Sequence, residues 1–564
     1  MVILLLIFNL SKQAGKSPEV VGNELGGYLT AHCAEVEKYS VVKGFLNVVI
    51  PTDAWLSLFS DLTTDKQFGH VLADSSFIHA PVLVEYSSPN TNKPLHLGHI
   101  RNNLIGYAVA ELLKATGNHV KKVNLVNDRG IHICKSMLAW LKKGNGETPQ
   151  SSGIKGDHLV GKYYVEFDKL YKAEIEILVK SGISEEEAKK KAPMIVEAQV
   201  MLQKWEANDA DTVNLWKKMN GWVYEGFDVT YKMMGVDFDK KYYESETYLL
   251  GKEIVKEGLE KNVFYKKEDG SVWVDLTEEG LDQKLLLRGD GTSVYITQDL
   301  GTAKMRHDET HFSKLIFVVG NEQDYHFKVL RAVMKKLGYA WWDGLHHLSY
   351  AMVDLPGGKM KSREGTVVDA DDLMQEMISE AKKITKELGK IEEFESAEAE
   401  ELYKTIGLGA LKYFILKVDP EKRMLFNPAE SIDFNGHTGP FIQYTYARIR
   451  SLIRKGEQTA DFKIYIDYDP VQYKFTEDRE RDLIKVMLRY TETLGEAAER
   501  YSPALIANYV YEIAKAFNSF YHEQAIVDLQ QRESSLFRLL LSHHTASIIK
   551  QSMALLGINV PERM

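Results

Sequence analysis

The feature that most constrains this chain is one stretch, residues 81–117, in which a strand, a turn and a helix are predicted to follow one another directly. The segment PVLVEY (81–86) is apolar and predicts a buried strand. The next residues, SSPN (87–90), favour a turn, because serine and asparagine are turn formers and proline lacks a backbone donor. Apolar residues at helical spacing then begin at HLGH (96–99). A strand, a turn and a helix start in this order predict a phosphate-binding site.

The side chains of HLGH suit a nucleotide. The imidazoles of His96 and His99 can donate hydrogen bonds to phosphate oxygens, and Gly98 allows a nucleotide to lie close to the backbone. Lys93 adds a positive charge shortly before the first histidine. A bare His-x-Gly-His also occurs by chance, and two surface histidines that cap a helix are the alternative explanation. The choice between them depends on the sequence further along the chain.

A second basic segment, GGKMKSR (357–363), lies far downstream of the histidines. Its two glycines favour mobility, and Lys359, Lys361 and Arg363 supply the positive charge that a departing pyrophosphate requires. If this segment stood alone, a solvated basic turn would be the simpler interpretation. Its occurrence together with HLGH favours nucleotide chemistry.

The two segments together resemble the HIGH and KMSKS signatures of the class I aminoacyl-tRNA synthetases. The register of the second differs from the family pattern, because Ser362 stands where the second lysine is expected and Lys361 lies one position earlier. In arginyl members of the family that lack this lysine, a lysine at the position of Lys93 is common. The resemblance implies that ATP contacts His96, Gly98, His99, Lys359, Met360, Lys361 and Ser362. It also implies that the catalytic residues are His96, His99, Lys93, Lys359 and Lys361.

Two acidic residues indicate which amino acid such an enzyme would select. Glu85 ends the first strand, and Asp299 lies in the downstream segment RGDGTSVYITQDLGTA. Two carboxylates facing one cavity suit a cationic side chain, and a planar guanidinium accepts the bidentate pairing that an ammonium cannot. Taken singly, Tyr295 could instead be a core residue, and Asp299 could simply cap a helix.

The pocket motifs resemble those of the arginyl members of the family. SSPN precedes HLGH, Tyr-x-x-x-Asp occurs in the second half, and a glutamine precedes x-x-His in QDYH (323–326). The likeness extends from residue 2 to the C-terminal PERM. It implies an arginine pocket made of Glu85, Ser87, Asn90, Tyr295, Asp299 and Gln323.

The resemblance implies the ATP-dependent ligation of L-arginine to its tRNA through an arginyl adenylate, with Mg²⁺ on ATP and with tRNA needed for activation. It implies no covalent enzyme intermediate and no metal held by the protein itself.

A class I enzyme for another amino acid is one alternative, and the cysteinyl enzyme is nearest in architecture. The absence of a cysteine-based zinc site and the two acidic pocket residues argue against it. A non-catalytic RNA-binding paralogue is the other alternative, favoured by the shifted lysine and opposed by the two retained histidines.

Composition limits the class of protein. The chain has 564 residues, which is too long for one core, and only two cysteines, Cys33 and Cys134. Two cysteines exclude a disulfide scaffold and a cysteine-based zinc cluster and indicate a reducing compartment, so we expect a cytoplasmic protein. The opening MVILLLIF is too short to cross a membrane and predicts a buried strand. A net charge of −10 argues against indiscriminate nucleic-acid binding, although a local basic face remains compatible with RNA.

Strands that alternate with helices predict an α/β fold class: a Rossmann-type parallel-sheet catalytic domain with a helical insertion, a small α+β N-terminal domain and an α-helical C-terminal anticodon-binding bundle. The second half of the sheet is expected from SVWVDL (271–276) through KLIFVVG (314–320).

The first strand begins at residue 2, so one interpretation is that the N-terminal domain is truncated. We expect a monomer that binds arginine tRNA and no membrane. The predicted domains are 1–75 (tRNA-contacting), 76–385 (catalytic, with an insertion at about 148–241), 386–440 (helical connection) and 441–564 (anticodon-binding, starting near Gly439 and Pro440).

Overall fold

A computed structural model gives the structure of this chain and describes residues 2–6, 8–65, 68, 80–354, 368–387, 394–458, 462–473 and 477–564. The predicted ATP-binding residues Lys359, Met360, Lys361 and Ser362 lie outside the described residues. The strands are β1 (Val2–Leu6), β2 (Lys38–Val42), β3 (Phe45–Val49), β4 (Val82–Glu85), β5 (Val120–Val126), β6 (Lys240–Tyr243), β7 (Phe264–Lys266), β8 (Val272–Val274), β9 (Lys284–Leu287), β10 (Lys314–Gly320), β11 (Leu345–Tyr350), β12 (Val353–Asp354) and β13 (Met424–Leu425).

The helices of the first half are α1 (Phe8–Ala14), α2 (Pro18–His32), α3 (Thr52–Thr64), α4 (Leu97–Ala115), α5 (Ile131–Lys143), α6 (Pro149–Ser152), α7 (Gly156–Lys180), α8 (Glu185–Lys191), α9 (Pro193–Glu206), α10 (Ala210–Met234), α11 (Glu244–Thr247) and α12 (Leu250–Glu260). Those of the second half are α13 (Tyr295–Thr310), α14 (Asp324–Lys336), α15 (Ala370–Glu387), α16 (Ser396–Leu416), α17 (Pro428–Ser431), α18 (Gly439–Glu457), α19 (Asp478–Leu488), α20 (Tyr490–Glu499), α21 (Pro503–Glu523) and α22 (Arg532–Leu555). Within the described part of the chain, no helix is both long and apolar enough to cross a bilayer.

The central element is a parallel sheet with the strand order β11-β10-β4-β5-β6. All residues of β4 are buried, as expected for a strand covered on both faces. The strands β4 and β5 come before the helical insertion, and β10 and β11 come after it. The strand order therefore reverses between β4 and β10, and such a reversal opens a ligand-binding crevice at the carboxyl ends of the strands.

The predicted second half of the sheet is only partly correct. KLIFVVG forms β10 at the sheet centre, but SVWVDL contributes β8, which pairs with β7 and β9 in a separate antiparallel sheet. Short apolar runs do not distinguish a parallel from an antiparallel neighbour, so periodicity could not separate the two cases. The edge strand β6 (KKYY) was not predicted, because its sequence is mostly polar.

Helix α4 is the element that ties the sheet to the helical half of the molecule. Its apolar positions are buried nearly all round, because it packs on β4, β5 and β10 on one side and on α15, α16, α20 and α21 on the other. Gly106 brings the helix onto the sheet, since a Cβ there would lie 2.4 Å from the ring of Tyr86. A helix enclosed in this way is a rigid support for the loop at its N-terminus.

The remaining parts pack around this centre. At the N-terminus, β1, β3 and β2 form an antiparallel sheet, and α2 starts after Ser17, whose hydroxyl accepts a hydrogen bond from the Val20 N–H (3.3 Å). The insertion consists of α6 to α10, with α7 packed against α5 and α10. At the C-terminus α18, α19, α21 and α22 form a bundle, and α18 starts after Thr438, whose hydroxyl accepts from the Phe441 N–H (3.3 Å). The α/β fold class with its helical insertion and helical C-terminal region is confirmed.

Candidate functional site

The turn after β4 is held in an unusual backbone conformation. Ser87 and Ser88 have φ values of +78° and +43°, a region that costs of order 1–3 kcal/mol for a residue with a side chain. Two asparagines stabilise it: the Ser87 N–H donates to Asn102 Oδ1 (2.5 Å), and the Ser88 N–H donates to Asn124 Oδ1 (3.0 Å). The Asn102 amide also donates to the Val318 carbonyl (2.6 Å), so one side chain joins the turn to β10 across the crevice.

The Ser87 side chain faces protein rather than solvent. Ser87 is 4% exposed, and its hydroxyl is hydrogen-bonded to Tyr231 (2.7 Å) and accepts from the Asn103 amide (3.2 Å). Asn90, by contrast, is exposed, and its backbone forms a bridge to Asn127 at the end of β5. Of these two predicted pocket residues, only Asn90 therefore presents its side chain to solvent.

The two histidines cap α4 reciprocally. The Gly98 N–H donates to His96 Nδ1 (3.1 Å), and the His96 N–H donates to His99 Nδ1 (3.1 Å). A backbone N–H can only donate, so both Nδ1 atoms must be unprotonated, and the proton of each neutral imidazole sits on Nε2. The rings lie 3.9 Å apart between centroids. The cap thus leaves two Nε2–H donors that are not used by the helix.

Electrostatics keep these imidazoles neutral. Burial, together with the nearby Lys93 ammonium, lowers the pKa of His96 to about 4. Burial, His96 and Lys93 hold the pKa of His99 well below its ordinary value. Burial also lowers the pKa of Lys93. At neutral pH the loop therefore presents two uncharged donors beside a lysine, a set suited to phosphate oxygens.

The chain on both sides of residues 355–367 is bonded to the histidine loop or its helix. After that segment, the Leu97 N–H donates to the Val368 carbonyl (3.1 Å) and the Ala370 N–H donates to the Leu95 carbonyl (3.0 Å). Before it, the buried Arg101 guanidinium donates to the Met352 carbonyl (3.3 Å), next to β12. The described residues on both sides of 355–367 are thus bonded to the element that carries His96 and His99.

Glu85, the first predicted pocket acid, forms an ion pair inside the protein. Its carboxylate contacts the guanidinium of Arg306 on α13, and both side chains are buried. The guanidinium also lies over the Tyr242 ring, 4.7 Å from its centroid. Ser88 Oγ donates weakly to the other carboxylate oxygen (3.4 Å). The charge of Glu85 is therefore already balanced by a cation of the chain, which the sequence did not indicate.

The second predicted acid, Asp299, is more open. Its side chain is 37% exposed, and Oδ2 lies 2.6 Å from His326 Nε2. Tyr295 at the start of α13 is 80% exposed, which excludes the core role considered for it. Gln323 is exposed on the turn after β10. These side chains lie on the solvent-facing rim, where a ligand can reach them.

Two residues of this region were missed by sequence reasoning. Arg306 and Glu244 belong to no short motif, and each gains its role from charged groups far away in the sequence. His326 belongs to the predicted QDYH motif, but its pairing with Asp299 was not predicted. Burial raises the pKa of Glu244 to about 7, with Arg129 opposing the shift and Asp128 and Asp299 adding to it. The carboxyl ends of β4 and β6 and the start of α13 thus gather acidic groups around one crevice.

The comparisons with known proteins agree with this geometry. The family described as "tRNA synthetases class I (R), catalytic domain" matches residues 65–427, and the "DALR anticodon binding domain" matches residues 442–564. The catalytic domain is that of a class I aminoacyl-tRNA synthetase. Among curated relatives, the arginine–tRNA ligase of Bacteroides fragilis is 56% identical over 563 residues, which cover 100% of this chain and 93% of the relative. That of Flavobacterium psychrophilum is 57% identical over 549 residues, 97% of this chain and 90% of the relative.

The solved arginyl-tRNA synthetase of Thermus thermophilus superposes with a TM-score of 0.81 at 24% identity, over 100% of this chain and 94% of that one. At this identity the likeness concerns the fold. The family match and the curated relatives are sufficient for assignment: the chain belongs to the arginyl-tRNA synthetase family. The membership predicted from the sequence is confirmed.

Proposed function

We propose that this chain attaches L-arginine to its tRNA in two steps, with ATP as the energy source and arginyl adenylate as the intermediate. The observation that carries the proposal is the reciprocal cap of α4, which leaves two neutral Nε2–H donors unused by the helix. In the first step a carboxylate oxygen of arginine attacks the α-phosphorus of ATP. A new carboxyl–phosphate bond forms, the bond to the β-phosphate oxygen breaks, and pyrophosphate leaves.

The loop residues stabilise the charge that develops in this step. We assign His96 and His99 to phosphate oxygens, because fixed donors in a water-poor site act without reorganisation. Lys93 lies beside them and is assigned to the same phosphates. Lys359 and Lys361, with Met360 and Ser362, are proposed for the departing pyrophosphate, supported by the bonds that tie Val368 and Met352 to the α4 region. Gly98 allows close approach of the nucleotide.

The amino acid is proposed to bind at the acidic rim. The guanidinium would share Asp299 with His326, and the exposed Asn90, Tyr295 and Gln323 are proposed as its further contacts. Glu85 and Ser87 are the remaining members of the predicted pocket. Their partners Arg306 and Tyr231 hold them in place, so they are expected to shape the pocket as much as to bind ligand.

The second step transfers arginine to tRNA. A ribose hydroxyl of the terminal adenosine attacks the adenylate carbonyl, and AMP leaves. Residues 441–564 are proposed to bind the anticodon and residues 1–75 to contact another part of the tRNA, with a catalytic domain at 76–385 and a connection at 386–440. We also propose that arginine is activated only when tRNA is bound, and that the enzyme is a cytoplasmic monomer.

Mg²⁺ is proposed to arrive with ATP. The described loop residues are imidazoles and a lysine, and Mg²⁺ prefers oxygen ligands, so the loop fits the phosphates rather than the ion. Mg²⁺ would neutralise phosphate charge when bound, and no protein ligand is assigned to it.

The test is ATP–pyrophosphate exchange with arginine, with and without total tRNA, and with lysine and cysteine as controls. Exchange that requires both arginine and tRNA is the expected result. Exchange with another amino acid would reassign the pocket. No exchange under any condition would contradict the proposal and favour a non-catalytic RNA-binding protein.

A further inference from the structure

A charged cluster joins the helical insertion to the segment that follows residue 367. Lys155 and His158, at the start of α7, and Thr230 of α10 all contact the carboxylate of Asp371 in the first turn of α15. His158 Nε2 lies 3.0 Å from Asp371 Oδ2, and Thr230 Oγ1 donates to Asp371 Oδ1 (2.8 Å). The Lys155 ammonium also lies 3.2 Å from buried Asp157. The chain itself thus supplies the cation that this pair of carboxylates needs.

The other face of the same segment is bonded to the histidine loop. Residues 368–370 pair with residues 95–97 through the two backbone hydrogen bonds described above, and Asp369 forms an antiparallel bridge with His96. Asp369 Oδ1 accepts from the N–H of Asp371 (2.8 Å) and Asp372 (3.2 Å), which caps α15. The segment 368–371 therefore lies between the insertion on one side and the histidine loop on the other.

Helix α7 also touches the histidine loop directly. A Cβ at Gly161 would lie 2.8 Å from Pro94 Cδ, so only glycine allows this approach without a shift. The insertion consequently meets the loop by two routes: directly at Pro94, and through Asp371 and the backbone of residues 368–370. Both routes converge on the residues just before and within the cap of α4.

We propose that the helical insertion positions the phosphate-binding loop, with Asp371 as the positioning residue and Lys155 and His158 as its anchors. Asp371 touches no substrate in this account. It fixes the backbone of residues 368–370, which fixes Leu95 to Leu97 and hence the direction of the His96 and His99 Nε2–H donors. The inference rests on the proposed function, because its kinetic consequence appears in the use of ATP.

The first test is Asp371→Asn, which keeps the shape and removes the charge that Lys155 and His158 require. We expect a loss of kcat/KM for ATP in exchange of up to about 100-fold, as a displacement of about 1 Å can give, with the arginine KM changed less than twofold. The matched control is Glu400→Gln, which breaks the exposed pair between Glu400 of α16 and Lys382 further along α15, and it is expected to change neither parameter. A general loss of α15 stability would instead alter both substrates.

Lys155→Gln removes the same contact from its other partner, so the inference can still be tested if Asp371→Asn does not fold. The double variant should lose less than the sum of the two single variants, because each substitution removes the shared Lys155–Asp371 contact. Additive losses, or an unchanged ATP dependence in both single variants, would overturn the inference.

A measurement without catalysis separates this inference from the proposed function. In the full chain, amide hydrogen exchange of peptides that include Leu97 and Ala370 reports the two backbone bonds directly. We expect about a 10-fold faster exchange in Asp371→Asn or Lys155→Gln, of the size that a lost local contact gives, and no change in Glu400→Gln. If wild type lacks ATP–pyrophosphate exchange but these amides respond, the proposed function fails and the positioning contact stands. If wild type is active and the amides do not respond, the positioning contact fails alone.

Discussion

The histidine loop and the acidic rim of the same crevice are held in place in opposite ways. The loop uses its own backbone: His96 and His99 accept hydrogen bonds from N–H groups within a few residues of themselves. The two acids instead pair with residues distant in the sequence: the buried Glu85 with the guanidinium of Arg306, and the more open Asp299 with the ring of His326. We infer that the nucleotide half of the site is set by local geometry, and that the amino-acid half depends on pairs formed only in the folded protein.

Among the variants that test this contrast, Glu85→Gln is expected to have the largest effect, and the effect is on the free energy of unfolding. It leaves the Arg306 guanidinium buried without its counter-charge, so the free energy of unfolding should fall by about 3–5 kcal/mol. Chemical denaturation followed by fluorescence would measure it. Glu85→Gln combined with Arg306→Met should recover much of the loss, because no buried charge remains. If the single and double variants are equally destabilised, the unpaired charge of Arg306 is not the cause of the loss of stability.

The next effect concerns the loop. His99→Asn can keep a cap acceptor through Oδ1 but loses the outward Nε2–H donor, so the fold should hold while adenylate formation slows about 100- to 1000-fold, roughly 3–4 kcal/mol. Pre-steady-state formation of adenylate would measure this. His99→Ala should lose both the donor and the cap and therefore also some stability. A His99→Asn enzyme with normal chemistry would remove His99 from the phosphate contacts.

The low pKa of His96 predicts how the stability of the protein depends on pH. The folded-state pKa of His96 is about 4 and its ordinary value is 6.5, so the unfolded chain binds the proton more tightly. Its contribution to stability is therefore complete above pH 6.5 and is lost as the pH falls from 6.5 towards 4, by roughly 2 kcal/mol after allowing for partial exposure. His96→Asn should show a shallower fall of unfolding free energy across this interval than wild type. Parallel curves for the two proteins would contradict the assigned burial.

The smallest effect is expected at the rim. Asp299→Asn removes one carboxylate from an open, shared site and should raise the arginine KM about 10-fold, or about 1.4 kcal/mol, with little change in kcat at saturation. Asp343→Asn is the matched control, because Asp343 is an exposed partner of Arg331 remote from the crevice. An unaltered arginine KM in Asp299→Asn would place Asp299 outside the pocket.

The same contrast explains what the sequence could predict. The order of strand, SSPN turn and HLGH helix start is local, and it was predicted correctly because turn and cap preferences act over a few residues. Strands β4 and β10 of the parallel sheet were predicted. The edge strands β6 and β11 were not, and the antiparallel β7–β9 unit was assigned to the wrong sheet, because strand partners are set by tertiary packing. The burial of Arg306 against Glu85 could not be predicted, since a helix pattern does not reveal which distant charge an arginine will meet.

Some predictions of the site remain predictions. The roles of Lys93, His96 and His99 agree with their geometry, while Lys359 and Lys361 lie outside the described residues. For Ser87 the neighbours Tyr231 and Asn103 supply a structural reason for the residue, which a motif comparison does not reveal. Sequence motifs thus select candidate residues, and the contacts show which of their side chains already have partners within the protein.

The most direct test of the two-part site is calorimetric binding of arginine, in the presence of tRNA, to wild type, His99→Asn and Asp299→Asn. If the crevice has two separate halves, we expect the same arginine Kd for wild type and His99→Asn, and a Kd about 10-fold higher for Asp299→Asn. Weakened binding in His99→Asn to the same degree as in Asp299→Asn, or unchanged binding in Asp299→Asn, would contradict the division of the crevice into a nucleotide half and an amino-acid half.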